Sequence, residues 1–169
     1  MNKESMTALD YAKLIQLIAA NKYNVLLSRI KVRNILFYIY GAYLADNGKT
    51  LFNDEKPKAL VSGPTFENAY KGMKSYELIT IDDFTNDQIK GFKDNIWIVS
   101  KIIRIVGNMY GVTAMELNQK ARRESSPWYT AIYRKDKDGN LISQKSFGTV
   151  INDGIITKYF SKMENRIFG

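Results

Sequence analysis

The sequence contains no cysteine and no histidine. Without cysteine the chain can form no disulfide, and it offers no thiolate nucleophile or thiolate metal site. Without histidine it lacks the commonest general base and metal ligand at neutral pH. A nucleophilic triad would have to pair serine with lysine, but the proline after Ser125 and Ser126 indicates a helix start. We therefore expect no enzyme activity, no catalytic residues, no cofactor and no metal site.

Motifs that bind phosphate or metal ions are also missing. The sequence has no glycine-rich phosphate loop. Residues 136–140 are faintly similar to a calcium loop, but the glycine comes two positions early and Phe147 stands where the loop needs glutamate. The neighbouring carboxylates Asp54-Glu55 and Asp82-Asp83 look like caps and solvated charge. A metal-dependent hydrolase or nuclease is therefore the least favoured function.

Long apolar runs are absent as well. The longest covers the six residues 35–40, whereas a membrane span needs roughly 18 apolar residues. Glu4, Asp10, Lys13 and Gln16 interrupt the N-terminal segment, so it lacks the apolar core of a signal peptide. We expect this segment to be retained and folded. The sequence predicts a soluble, cytoplasmic protein with no membrane partner, and the absence of cysteine fits a reducing compartment.

The chain has fewer acidic residues than basic residues. The chain has 25 lysine and arginine residues against 17 aspartate and glutamate residues, which gives a net charge of +8. This excess favours a polyanion or an acidic protein as partner, although a lysine-rich genome gives the same excess to a surface without such a role. The basic residues form several groups along the chain: Arg29, Lys31 and Arg33; Lys101 and Arg104; Lys120, Arg122 and Arg123; and Arg134, Lys135 and Lys137.

One segment is apolar enough to lie at the centre of a core. Ser28 suits a helix N-cap and Gly48 a helix C-terminus, and apolar residues between them recur at helical spacing. From Ile35 to Tyr40 every residue is apolar or aromatic, so all faces of this helix need cover. We predict a central buried helix at about residues 28–46, inside a single, mainly α-helical domain that spans residues 1–169.

Two further helices are predicted to pack on this one. Apolar residues at helical spacing indicate an amphipathic helix over residues 7–20. Thr85 and Gln88 form a capping box, and from Phe92 to Tyr110 apolar residues step by four and three positions. This spacing predicts one long helix at about residues 85–110. The same stripe could form a homodimer seam, but packing on the central helix is favoured.

Shorter elements follow from local signals. Gly63-Pro64 predicts that an extended segment ends and a helix begins at residues 65–73, and a second short helix is expected at residues 113–123. Asp138-Gly139 indicates a hairpin, so we expect at most a small β-hairpin or short strands. Asn152 or Asp153 can cap a last helix, whose inward-facing residues are predicted to be Ile156, Tyr159, Phe160 and Met163.

Several of these segments resemble one known family. Leu36 to Phe52 (LFYIYGAYLADNGKTLF) resembles the opening of the Panacea domain, the SocA-like and GepA-like family found beside bacterial and phage toxins. Later segments are similar to the family in the same order: Ala59 with Gly63-Pro64 and Tyr70, then Glu124 to Trp128 (ESSPW), then Ile151 to Phe160.

The chain also departs from the family pattern. Leu60 stands where the family usually has tryptophan, and Thr65 where it has valine. Ala121-Arg122 replaces a Thr-His pair that commonly precedes the acidic residue. If these positions contribute to partner recognition, this chain has a different partner.

The resemblance implies a mainly helical, antitoxin-like domain that binds a toxin protein and neutralises it by direct contact, without catalysis. Interface hot spots favour tryptophan, tyrosine and arginine. The predicted partner-binding residues are Arg122, Arg123, Glu124, Trp128 and Tyr129. Trp128 also has a structural interpretation, since a Pro-Trp pair that opens a helix is commonly a core anchor. The residues predicted to be structural are Gly63, Pro64, Tyr70 and Pro127.

The positive charge supports an alternative function. The chain could be a basic, nucleic-acid-associated protein, or a phage-encoded inhibitor of a nucleic-acid-dependent defence complex. Against this, the sequence has no recognisable helix-turn-helix and no aromatic–basic stacking motif. A structural or scaffold role is the remaining alternative.

Overall fold

The computed structural model describes residues 6–169; residues 1–5 of the predicted N-terminal segment, with Glu4, lie outside the described residues. No helix within residues 6–169 combines the length and the apolar character needed to cross a bilayer. The helices are α1 (Ala8–Tyr23), α2 (Arg29–Asn47), α3 (Glu67–Gly72), α4 (Asn86–Asp94), α5 (Ile96–Met109), α6 (Ala114–Arg122), α7 (Pro127–Ile132) and α8 (Asp153–Phe160). The strands are β1 (Lys58–Leu60), β2 (Gly63–Thr65), β3 (Tyr133–Lys135), β4 (Leu141–Gln144) and β5 (Thr149–Val150).

The predicted central helix is confirmed as α2. The Ser28 hydroxyl accepts a hydrogen bond from the Lys31 N–H at 3.2 Å, and Gly48 ends the helix with a φ of 67°. Every residue from Val32 to Ala42 is buried, because α1, α5, α6 and α8 pack around the helix. The mainly α-helical fold class is therefore confirmed.

The predicted long helix at residues 85–110 is instead two helices. The capping box of Thr85 and Gln88 opens α4, but Asn95 leaves helical geometry with a φ of −123° and a ψ of 53°. Asparagine is a weak helix former whose side chain competes for backbone hydrogen bonds. The predicted stripe is therefore not one continuous face, and Ile96 is 66% exposed. The buried side chains of α5 are Ile102, Ile105, Val106 and Met109.

A three-stranded antiparallel sheet, in the order β2-β1-β5, brings distant segments together. Ala59 pairs with Pro64 on one side and with Thr149 on the other. The helix predicted from residue 65 therefore begins only at Glu67, because residues 63–65 form β2. Pro64 is tolerated there because β2 is an edge strand, where a missing N–H need not break the ladder.

The signal at Asp138-Gly139 corresponds to an exposed hairpin of β3 and β4. Gly139 has a φ of 84°, and the Asp136 carboxylate accepts hydrogen bonds from the N–H groups of Asp138 and Asn140 at 2.9 and 2.8 Å. This bonding replaces strand pairing at the tip and shapes the turn.

The last helix, α8, begins at the predicted cap, since Asn152 accepts a hydrogen bond from the Ile155 N–H at 2.9 Å. Ile156 and Phe160 are buried, and Tyr159 is half-buried. Met163 was predicted to face inward, but it is 88% exposed because α8 ends at Phe160.

A candidate partner-binding surface

The residues predicted to bind a partner lie at the end of α6, in the link that follows it and in α7. Of the two aromatic residues in this group, Trp128 and Tyr129, Trp128 is the more buried. It is 7% exposed, and its indole N–H donates to the Leu60 carbonyl at 2.6 Å. Its ring stacks on Phe147, with 6.1 Å between ring centroids. Pro127 is buried beside it as the first residue of α7. Trp128 thus anchors α7 to β1 and offers no exposed ring to a partner.

Arg123 is held within the protein. Its guanidinium donates to the hydroxyl of Tyr159 and, at 2.9 Å, to the side-chain oxygen of Asn165. It also lies 5.4 Å from the centre of the Tyr159 ring. Arg123 therefore joins the end of α6 to α8 and the segment after it.

Glu124 and Tyr129 have neighbours of their own in the hairpin. Glu124 forms an ion pair with Lys135. The Lys135 ammonium also lies 5.2 Å from the centre of the Tyr129 ring, which packs against Tyr133 at a centroid distance of 4.5 Å. These contacts hold β3 against α7, so a partner would have to compete for them.

Arg122 is the exception, because it is exposed and weakly held. Among residues 6–169, its guanidinium donates hydrogen bonds only to the carbonyls of Val61 and Asn118, both at 3.4 Å. It lies beside Gly63, which has a φ of 134°; a Cβ there would be 3.9 Å from Arg122 Cγ and 3.5 Å from Arg33 Nη2. The turn between β1 and β2 thus brings Arg122 close to a second arginine.

This second arginine, Arg33, is 3% exposed. Its Nη1 donates to the Ser62 hydroxyl at 3.0 Å; its Nη2 donates to the Ser62 carbonyl at 3.0 Å and to Asn118 Oδ1 at 2.6 Å. Its Nε finds no hydrogen-bond partner among the residues that the structure describes. Burial lowers the pKa of Arg33 below its ordinary value; Tyr70 opposes this effect, and the positive charge of Arg122 adds to it.

A third arginine completes the cluster. The Arg29 guanidinium lies 4.1 Å above the centre of the Tyr70 ring, and that of Arg33 lies 5.7 Å from it. Within residues 6–169, none of the three arginines forms an ion pair with a carboxylate. We call the surface formed by Arg29, Arg33, Ser62, Tyr70 and Arg122 the arginine face.

Exposed apolar side chains lie next to these residues in the chain. Ile30 follows Arg29 and is 36% exposed, and Val61 precedes Ser62 and is 64% exposed. Tyr76, also exposed, has a φ of 58°, and its N–H donates to the Leu27 carbonyl at 2.8 Å. The arginine face therefore has the mixture of aromatic, apolar and cationic groups that is typical of protein interfaces.

Only part of this surface is predicted from the sequence. Arg122 is predicted to bind a partner and Tyr70 to be structural, whereas Arg29 and Arg33 are noted only as members of a basic group. Their spacing of four residues puts them on one helix face, a signal that could have drawn attention to them. Their approach to Ser62 and Arg122 depends on the tertiary fold.

A small cavity lies behind Arg123, between α2, α6, α7 and α8. It has a volume of about 50 Å³ and is mostly apolar. Asn34 Oδ1 and Arg123 Nε, on two of its lining residues, have no hydrogen-bond partner. Its size suits ordered water better than a substrate.

Comparison with known protein families, curated protein sequences and solved structures gives no match to this chain. The resemblance to the Panacea domain therefore stays a prediction from the motifs.

Proposed function

We propose that this chain is an antitoxin-like, protein-binding domain that neutralises a partner toxin by direct, non-catalytic contact. The observation that supports this proposal is the arginine face. Arginine and tyrosine are the residue types that most often dominate binding energy at interfaces, and here they lie beside exposed Ile30 and Val61. The motif resemblance supports a toxin as the partner.

The geometry supports Arg122 as the central contact of the predicted group. It is exposed, and its side chain makes only two hydrogen bonds within the described part of the chain, both of 3.4 Å, so it can turn towards a partner without breaking a well-formed contact. Arg123, Glu124 and Tyr129 already serve internal contacts, and Trp128 is buried. The proposed interface therefore extends from Arg122 towards Arg29 rather than along α7.

A tagged pull-down from the native host tests this proposal, with nuclease treatment before elution. We expect one stoichiometric protein to survive nuclease, and co-expression of the chain to rescue growth of cells that express this protein. Arg122→Glu should abolish both results. The matched control is Lys90→Glu, because Lys90 is exposed on α4, outside the arginine face, and its replacement changes the net charge equally. Rescue that survives Arg122→Glu would contradict the proposed interface.

A second surface favours the nucleic-acid alternative. A groove of about 470 Å³ between the hairpin, α7 and α8 is lined by Arg134, Lys135 and Lys145 among others. If it follows a phosphate backbone, affinity for an oligonucleotide should fall steeply as salt rises, and Lys145→Glu should weaken binding. Weak binding that does not respond to salt would count against this function.

A further inference from the structure

We infer that the arginine face recognises carboxylate groups on an acidic segment of the partner protein. This inference rests on the proposed function and specifies the chemistry of its partner.

The charges of the arginine face are not balanced. Arg29 and Arg33 lie at the Tyr70 ring, and Arg33 and Arg122 lie at Gly63. No carboxylate of residues 6–169 pairs with any of these three arginines. Neutral oxygens solvate the buried Arg33, but they do not cancel its charge, and Arg122 adds a like charge nearby. A buried charge that lacks a counter-ion is costly. An anion supplied by a partner would relieve this imbalance.

The three arginines differ in how many of their guanidinium donors are already hydrogen-bonded within the chain. Arg33 uses its Nη1 and Nη2 on Ser62 and Asn118, so it acts as a positioning residue that fixes the turn between β1 and β2. Arg29 and Arg122 make no such set of short side-chain bonds. The contact of the Arg29 guanidinium with the Tyr70 ring, at 4.1 Å from the ring centre, holds this group in place without using a hydrogen-bond donor. A guanidinium edge matches a carboxylate through two parallel hydrogen bonds.

The surroundings of Tyr70 favour a protein over a nucleic acid as the ligand. Single-stranded nucleic acids bind through aromatic rings on which bases stack. The Tyr70 ring is already covered by Arg29 at 4.1 Å, so that ring face is not free for a base. Exposed Ile30 and Val61 beside the arginines instead fit the apolar side chains of a protein segment. Carboxylates within a polypeptide are therefore the favoured ligand.

Binding of two polyanions to the full chain tests this inference. Poly-L-glutamate supplies carboxylates and a single-stranded DNA oligonucleotide supplies phosphates, and fluorescence anisotropy measures the affinity for each. We expect Arg29→Gln and Arg122→Gln each to weaken poly-L-glutamate binding by about fivefold or more. Lys90→Gln, at an exposed position of α4, changes the net charge by the same amount and should weaken it less than about twofold.

Two binding results would overturn the inference. Equal losses in all three variants would mean that poly-L-glutamate senses only the net charge. The second is tighter binding of the oligonucleotide than of poly-L-glutamate, with oligonucleotide binding lost specifically in Arg29→Gln and Arg122→Gln. This result would show that the arginine face binds phosphates.

Heat stability provides a second readout that guards against misfolded variants. Because Arg122→Gln removes a like charge from beside Arg33, the free variant should have a Tm at least equal to that of the wild type. Poly-L-glutamate should raise the Tm of the wild type more than that of the variant. A large loss of Tm in the free variant would show a structural role for Arg122 and overturn the inference.

The two proposals can fail separately. One outcome is that poly-L-glutamate binding depends on Arg29 and Arg122 while capture of a partner protein does not. In that case the carboxylate site stands and the antitoxin-like function fails. If a captured partner needs Arg122 but poly-L-glutamate binding does not, the function stands and the carboxylate inference is overturned.

Discussion

At the scale of single residues, Tyr76 holds a backbone conformation that bulky side chains rarely adopt. Its φ is 58°, and its side chain is 64% exposed. Glycine enters this region without steric cost. We therefore expect Tyr76→Gly to raise the free energy of unfolding by about 0.5–1 kcal/mol, as measured by urea denaturation.

A partner assay shows whether this conformation serves binding. If the Tyr76 ring contacts the partner, the more stable Tyr76→Gly variant should bind less tightly. Tyr76→Asn is the control, because asparagine also tolerates this conformation but lacks the ring. A loss of stability in Tyr76→Gly would show that packing of the ring outweighs the backbone strain.

Two helical glycines make a matched pair. A Cβ on Gly41 would overlap the ring of Phe160, whereas a Cβ on Gly91 would meet no atom within 4 Å. Gly41→Ala should therefore lower the free energy of unfolding by about 1–3 kcal/mol through overpacking. Gly91→Ala should raise it by about 0.5–1 kcal/mol through helix propensity. Denaturant unfolding of both variants measures the difference, and a Gly41→Ala variant as stable as the wild type would contradict the close packing of α2 on Phe160.

At the scale of elements, Asp46 links the end of α2 to α5 and to the chain after α8. It accepts hydrogen bonds from Arg166 at 3.0 and 3.1 Å and pairs with Lys101. The hydrogen bond from Arg166 holds the pKa of Asp46 below its ordinary value of 3.8, against burial, and Lys101 adds to this effect. The carboxylate form thus stabilises the folded chain.

Asp46→Asn should lower the free energy of unfolding by about 1 kcal/mol at neutral pH. Because the unfolded chain takes up the proton first as pH falls, this contribution is present above pH 3.8 and is lost as pH falls through the lowered pKa of Asp46. The Tm difference between wild type and variant should therefore shrink in acid. Asp94→Asn replaces an exposed carboxylate and is the control. A difference that stays constant into acid would contradict the role of charge.

Element boundaries followed from sequence where local chemistry decides them. Ser28 and Asn152 accept the N–H bonds that cap α2 and α8, and such caps depend only on nearby residues. The break at Asn95 was missed because the apolar spacing is the same on both sides of it. Strand β2 was missed because Gly-Pro suits both a helix start and an edge strand, and pairing with Ala59 decides between them.

The site was less predictable than the fold because its parts meet only in three dimensions. Arg122 could be selected by residue type and by its place before a motif. The buried bonding of Arg33 could not be predicted, since its partners Ser62 and Asn118 lie 29 and 85 positions away. Trp128 was ambiguous in sequence because the Leu60 carbonyl, which accepts its indole N–H bond, lies 68 positions away.

At the scale of the whole molecule, the net charge of +8 provides a long-range attraction for any acidic partner. We expect the association rate constant with the captured partner to fall about tenfold from low to high salt, while the dissociation rate constant changes little. Stopped-flow fluorescence measures both constants. Arg122→Gln should flatten the salt dependence more than Lys90→Gln does, and equal slopes would assign the attraction to the overall charge.

The unpaired arginines also bear on how fast the chain can capture a partner. An inhibitor that works by contact protects a cell only if it reaches its target before the target acts. Unpaired arginines on α2 and α6 need at most a side-chain rotation at encounter, so capture can approach the diffusion limit. With such a surface, neutralisation would be governed by how quickly each new partner molecule is intercepted, and a slow-binding variant would fail even if its final complex were tight.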